Sequence, residues 1–279
     1  MVIWYRGNFG EAFGAGRALL LYLSACGFLE RSHMEEYINR IFNMDCLQGM
    51  SMYPDHSIDM ILTDLPYGVT NCRWDSIIPF EALWQQYLRI IKKTGAIVLT
   101  AAQPFTTRLI SSQQKLFRYC WYWHKNIATG FTFAKKQPLR CIEEACVFYK
   151  RAPTYHPQGI LVLDKPIKRR GKHAPLHGES VYRMDKGLSH DTVTRVTHYP
   201  KQLLEIKCER GLHPTQKPVN LFEYFIRTYT NPGELVLDSC MGSGTTAVAC
   251  VRSGRNYTGF EMDKKYYATA IKRLSNAQV

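Results

Sequence analysis

Glu234-Leu235-Val236-Leu237-Asp238-Ser239-Cys240-Met241-Gly242-Ser243-Gly244-Thr245-Thr246 is the stretch from which the fold can be read. Residues 234–238 have the pattern of a short buried strand, residues 239–244 that of a glycine loop. Thr245 to Ser253 then reads as a helix that opens on two hydroxyl residues and closes before Gly254. The glycines at 242 and 244 let a ligand approach the backbone, and the helix start offers free N–H groups and a positive dipole end to a carboxylate or phosphate. This is nucleotide-type cofactor architecture. The spacing Gly242-Ser-Gly244-Thr-Thr-Ala247 also satisfies the dinucleotide fingerprint, and Glu261 follows the next apolar segment, Tyr257 to Phe260. An NAD-dependent oxidoreductase is therefore a competing reading, whereas a P-loop is excluded because no lysine follows Gly244.

A second segment separates these readings. The apolar run from Ser57 to Thr63 ends in Asp64-Leu65-Pro66-Tyr67. By itself this is an ordinary turn. At the edge of a sheet it could also hold one flat amino-bearing ring, with Tyr67 stacking on the heterocycle, Asp64 accepting a hydrogen bond from its NH2 group and Pro66 stiffening the loop. A dinucleotide enzyme has no use for such a loop.

Together the two segments resemble a known family. Asp64 to Tyr67 is similar to the D/N/S-P-P-Y/F/W motif of the S-adenosylmethionine-dependent amino-methyltransferases, with Leu65 in place of the first proline but keeping its carbonyl. Asp238 to Thr246 resembles their D-P-F-x-G-S-G-T-T cofactor motif. His213-Pro214-Thr215-Gln216-Lys217-Pro218 resembles the H-P-T-Q-K-P element of the β group, and helical apolar spacing follows it from Val219 to Tyr229. The order, catalytic motif before cofactor motif, is the circular permutation that marks that group. The resemblance runs from Met34 to the C-terminus and is least diagnostic between 151 and 210.

It implies an α/β, Rossmann-like methyltransferase fold: a seven-stranded mixed sheet flanked by helices, with an inserted target-recognition region and both motif loops on the carboxyl edge. The implied cofactor is S-adenosyl-L-methionine, and the implied substrate is double-stranded DNA with the target base flipped out. An Asp at position 64 is like the adenine-N6 enzymes, while Ser is more usual for cytosine-N4 enzymes, which remain the alternative. Protein-glutamine methyltransferases carry Asn-Pro-Pro-Tyr and are disfavoured by Asp64. A catalytically silent DNA-binding relative is a third reading. A homodimer and a cognate restriction enzyme stay open as partners.

The resemblance also assigns roles. Asp64 and the Leu65 carbonyl would accept the amine hydrogens, and Pro66 and Tyr67 would present the stacking face. Gly242 and Gly244 would line the methionine moiety, and Ser239, Ser243 and Thr245 would also bind the cofactor. Asp238 would shape the loop, Glu261 would bind ribose hydroxyls, and Asp45 would lie near the adenine amino group of the cofactor. Thr215, Lys217 and Asn220 would approach the methionine end. The strand containing Glu143 and Glu144 is read as scaffold.

A basic run is by default a solvated face, but beside a base-modifying site it reads as phosphate contact. The net charge is +13, from 36 Lys and Arg against 23 Asp and Glu. Between Arg151 and Lys217 thirteen basic residues face six acidic ones, so a quarter of the chain carries more than half of the excess. Lys168, Arg169, Arg170 and Lys172 form its densest cluster, read as an exposed loop on phosphates, which should make binding fall steeply with salt. Arg183, Arg195, Lys201 and Gln202 are candidates for reading bases.

The expected domains are 34–150, the catalytic half; 151–210, the basic target-recognition region; and 211–279, the cofactor half. Residues 1–33 are expected to be an extension upstream of the usual start at Met34, or poorly ordered. Their apolar run is too short to span a membrane, and no membrane partner is expected. Nine scattered cysteines without a C-x-x-C pair read as reduced cytosolic thiols. His173 and His177 near Cys208 do not make a zinc pair, because Pro175 breaks the helical spacing, and no metal is expected. Between the motifs, a helix is predicted from Pro79 to Gly95, a strand over 96–100, a helix over 106–116, a strand over 118–125 and a closing helix over 264–274.

Overall fold

The computed structural model describes residues 34–70, 72, 75–170 and 192–277. Residues 1–33, expected to be an extension, and His173, His177, Lys172 and Arg183 lie outside the described residues. The chain runs β1 (Arg40–Phe42), α1 (Cys46–Ser51), β2 (Ile58–Asp64), α2 (Phe80–Ile90), β3 (Ile91–Ala101), α3 (Phe105–Ser112), β4 (Phe117–Thr129) and β5 (Arg140–Phe148). It continues with β6 (Leu161–Arg169), β7 (Thr192–Thr197), β8 (Leu203–Glu205), α4 (Val219–Tyr229), β9 (Leu235–Asp238), α5 (Thr245–Ser253), β10 (Asn256–Phe260) and α6 (Lys264–Ala277).

The principal sheet has the strand order β1-β10-β9-β2-β3-β5-β4-β8. The central pairings are parallel, and β5 runs antiparallel to both of its neighbours. Strands such as β2 and β9 are near-continuous apolar runs because both faces are covered. Met60, Leu62, Val98 and Val236 pack beneath α4, α5 and α6. Ile61, Ile97, Leu99 and Leu237 pack beneath α1, α2 and α3 on the other face.

Three expectations need correction. The sheet has eight strands rather than seven, because the three-residue β8 adds alongside β4, Tyr122 to His124 pairing with Leu203 to Glu205. The helix expected to stop at Gly95 ends at Ile90, and the next strand starts at once, with Ile91 pairing to Ile58. Gly95 serves a different purpose: a Cβ there would stand 2.7 Å from the Asp59 carbonyl oxygen, so the glycine admits close strand approach instead of capping a helix. The helix expected over 106–116 is likewise shorter, ending at Ser112, whose hydroxyl is held by the Trp84 indole N–H at 2.9 Å.

The basic segment also differs from expectation. Lys168 and Arg169 are in a strand, not a loop, paired with Val193 and Thr192 in the separate two-stranded ribbon of β6 and β7. The register slips between Val162 and Ile167, around Pro166, which has no N–H to give to a ladder.

At the centre, β9 leads through α5 to β10 on one side, while β2 leads through α2 to β3 on the other. Adjacent parallel strands that diverge in this way open a crevice at their carboxyl ends. Asp64 ends one of them and Asp238 the other.

Candidate active site

Asp64 is the hub of the crevice. Its Oδ1 accepts hydrogen bonds from the Tyr67 hydroxyl at 2.9 Å and the Thr100 hydroxyl at 2.5 Å. Its Oδ2 accepts from Lys217 Nζ at 2.6 Å. Lys217 is 6% exposed, so its charge is held by partners rather than water. Glu143 Oε2 stands 3.5 Å from the same ammonium, and Glu143 Oε1 accepts from Lys125 Nζ at 2.8 Å. Two carboxylates and two ammoniums thus form one chain of charge across β2, β4, β5 and the entrance to α4. Burial alone would push Lys217 down, but Asp64 and Glu143 outweigh it and hold the ammonium above its usual range. Burial would raise Glu143, and Lys217 with Lys125 brings it below the usual carboxylate range.

This network revises two sequence readings. Lys217 is bonded to the candidate catalytic carboxylate, and Glu143, read as scaffold, projects into the same cavity. The Glu143 Oε2 atom is buried and makes no hydrogen bond.

The tetrapeptide is fixed from both sides. Leu65 is buried in the core, which explains an apolar side chain where the motif has proline. The Tyr67 ring stacks on Phe105 with centroids 5.0 Å apart, and Lys217 Nζ is 5.5 Å from its own centroid. Burial, then the Asp64 and Glu143 charges, raises the Tyr67 phenol well above its ordinary value, so it stays a hydrogen-bond donor. Beyond the ring, Asp75 accepts backbone N–H bonds from Gly68, Val69 and Thr70 at 2.8, 2.9 and 2.7 Å. Its buried side chain is what closes the loop. Gly68, at φ 66°, leaves room for Ile77, which a Cβ would meet at 2.8 Å. Nothing local in the sequence announces Asp75, since the N–H groups that donate to it are five to seven residues upstream.

The second loop is tied to the first. Ser239 N donates to Thr63 Oγ1 at 3.1 Å, a bond that a proline in the family's position could not make, and Ser239 Oγ shares a 2.6 Å hydrogen bond with the Tyr87 hydroxyl. Asp238 accepts from Cys240 N at 3.0 Å and from the Thr246 hydroxyl, turning its carboxylate into the loop. Gly259 lets β10 pass beneath, because a Cβ there would lie 2.3 Å from the Asp238 carbonyl. Arg273 of α6 braces the helix entrance, reaching Thr245 Oγ1 at 3.0 Å and Ser243 Oγ at 3.3 Å. At the end of β10, Glu261 accepts from Gly242 N at 2.8 Å and Asp263 N at 2.7 Å. Asp45 caps α1 through Oδ1, which accepts from Leu47 N and Gln48 N.

Burial pushes the Asp238 carboxyl up to about 7, against the lowering effect of its hydrogen bonds. A carboxyl whose folded pKa lies above its unfolded value of 3.8 contributes stability that is complete below that value and lost as pH rises through the folded one. The difference in unfolding free energy between the parent and Asp238→Asn should therefore move in the parent's favour as pH falls from about 7 toward 4. A difference that stays flat over that window in denaturant titrations would refute the assignment.

One cavity of about 720 Å³ joins the two loops. It is lined by Asp45, all of Asp64 to Tyr67, Thr215, Lys217, Asp238, Ser239, Gly242, Ser243, Thr245 and Glu261. At Gly242, φ 54°, an added Cβ would meet nothing nearer than 4.0 Å, so the loop leaves open space there. Gly244 lies behind the lining, its absent Cβ facing Ala270 at 3.1 Å. Asn220 is exposed on the first turn of α4 and does not reach the cavity. Lys168, Arg169, Arg170, Arg195, Lys201 and Gln202 are all exposed and outside the lining. Among the described residues no helix is long and apolar enough to cross a membrane.

Comparison with known proteins agrees with this architecture. The chain is 27% identical over 260 residues to the type II methyltransferase M1.MboII of Moraxella bovis, a match covering 87% of this chain and 98% of that one. It is 27% identical over 255 residues to the DNA adenine methyltransferase YhdJ of Escherichia coli, covering 85% and 83%. The solved structure of M1.HpyAVI in complex with S-adenosylmethionine superposes with a TM-score of 0.57 at 24% identity, covering 84% of this chain and 98% of that one, a likeness of fold. The family model for DNA methylases of the N6 and N4 class matches residues 58–272, most of the chain: the protein belongs to the DNA methylase family.

Proposed function

We infer that the protein transfers a methyl group from S-adenosylmethionine to the exocyclic N6 of adenine in double-stranded DNA. The observation that carries this reading is the single cavity bounded by the Asp64 carboxylate on one side and Gly242 and Glu261 on the other. S-adenosylmethionine supplies an electrophilic methyl on a sulfonium. The residues present suit it: Glu261 is held by two backbone N–H groups with lone pairs left for ribose hydroxyls, Asp45 keeps Oδ2 for an amine, and Gly242 leaves open space.

Adenine's amine is a poor nucleophile because its lone pair is delocalised into the ring. Asp64 and the Leu65 carbonyl, by accepting its two hydrogens, localise that pair, and charge placed where positive charge develops is often the largest catalytic contribution. Asp64 would also take the proton that the amine loses as the N–C bond forms and the donor's S–C bond breaks, the neutral thioether being the leaving group. Thr100, Tyr67 and Lys217 fix the carboxylate's orientation. The open Glu143 Oε2, 3.5 Å from Lys217 Nζ, offers the ammonium a second acceptor when Asp64 turns to the amine.

The target must leave the duplex to reach Asp64, at a cost of a few kcal/mol. Tyr67 offsets part of this by stacking, worth about 1–3 kcal/mol. Tyr67→Ala is expected to weaken capture of the target base roughly 10- to 100-fold, measured as KM for DNA, with little change in cofactor affinity by calorimetry. Equal losses in both would contradict the stacking role. We assign base recognition and phosphate contact to residues 151–210. Cytosine-N4 transfer remains the alternative, since the family includes both. Nucleoside mass spectrometry of DNA from expressing cells tests the choice: N6-methyladenine is expected, and N4-methylcytosine would overturn it.

A further inference from the structure

The connection between β4 and β5 lies outside every role assigned above. β4 runs in the same direction as β2, so its end, Thr129, is on the carboxyl edge of the sheet. Thr129 pairs with Arg140 across the hairpin, and both line the cavity. Between them the chain forms a preorganised turn. Gly130, at φ 94°, starts a 3-10 turn over Phe131–Phe133, in which Phe133 N donates to the Gly130 carbonyl at 3.0 Å. Lys136 N and Gln137 N both donate to the Phe133 carbonyl, at 2.8 and 3.0 Å.

This ordered turn holds its aromatic side chains in solvent. Phe131 is 69% exposed and Phe133 55%, and neither belongs to a core cluster. Residues 129–140 also contain Lys135, Lys136 and Arg140 and no acidic residue. Contiguous exposed apolar surface can mark a protein-docking site. Here three basic side chains with no acidic one among them, and continuity with the base-accepting cavity, favour an anionic partner that is apolar within: the stacked interior of a duplex between its phosphates.

We propose that the Gly130–Leu139 turn enters DNA beside the target, Phe131 and Phe133 filling the gap that the flipped base leaves while Lys135 and Lys136 hold the flanking phosphates. Apolar wedges of this kind insert between base steps in other DNA-binding proteins, and aromatic stacking is indifferent to sequence. The inference rests on the DNA methyltransferase reading.

The test uses the full chain and a duplex containing the site mapped from methylated cellular DNA. Phe131→Ala with Phe133→Ala should lower kcat/KM on the matched duplex roughly tenfold or more. On the same duplex with an abasic site opposite the target, where extrusion is easy, it should recover to within about threefold of the parent. Lys135→Ala with Lys136→Ala should reduce the slope of log affinity against log salt by about two. Cofactor affinity by calorimetry should not move in either variant. Equal losses on both duplexes, no loss on the matched one, an unaltered salt slope, or a changed sedimentation mass would each overturn the proposal. A parent protein that methylates neither duplex would instead overturn the function on which it rests.

Discussion

Asp64→Ala is expected to lower methyl transfer to DNA by roughly a thousandfold, in line with the loss of a group that both stabilises developing charge and takes the proton. S-adenosylmethionine affinity should stay within about twofold, because the cofactor loop makes its own bonds: Asp238 to Cys240 and Thr246, Glu261 to Gly242 and Asp263. Asp64→Asn keeps the shape and removes the charge, so a loss as deep as that of alanine would assign the effect to charge. Tritiated methyl transfer and calorimetry, run on the same preparations, separate the two quantities. A fully active Asp64→Ala would remove the catalytic assignment.

The largest effect on stability is expected at Lys217. Its ammonium lies between Asp64 and Glu143 and is nearly closed to solvent. Lys217→Met leaves Asp64 without its cation in a half-buried crevice, and breaking a buried pair in this way costs about 3–5 kcal/mol. For a chain of this size the melting temperature should fall by roughly 6–20 °C. Adding Asp64→Asn should restore part of that loss, since the orphaned charge disappears, while Glu143 keeps Lys125 at 2.8 Å. A melting temperature within a degree of the parent, or a double variant weaker than the sum of the two, would contradict the network as drawn.

These two residues also mark how far sequence reading reaches. The strand at 235–238, the helix at 245–253 and the helix at 219–229 were legible because their signals are local: an apolar run, a glycine after the last turn, a proline before the first. The tetrapeptide at 64–67 was legible as a motif. The partnership of Asp64 with Lys217 was not, because 153 residues separate them and only the meeting of β2 with the entrance to α4 joins them. Glu143 was hidden for the same reason, within a strand whose aliphatic neighbours dominate its pattern. Ile91 to Gly95 misled because helical spacing continued across a boundary set by pairing with β2. The positions of Lys168 and Arg169 depended on β7, more than twenty residues later.

The central claim is that one cavity presents the methyl donor at Gly242 to a base gripped at Asp64. The most direct measurement is the distance from the donor's methyl position to the target nitrogen in a structure solved with a cofactor analogue and a duplex carrying the mapped site. The account predicts about 3–3.5 Å, with the amine on Asp64 and the Leu65 carbonyl and the base against Tyr67. A donor bound away from Gly242, or a target base seated elsewhere than on Asp64, would contradict it.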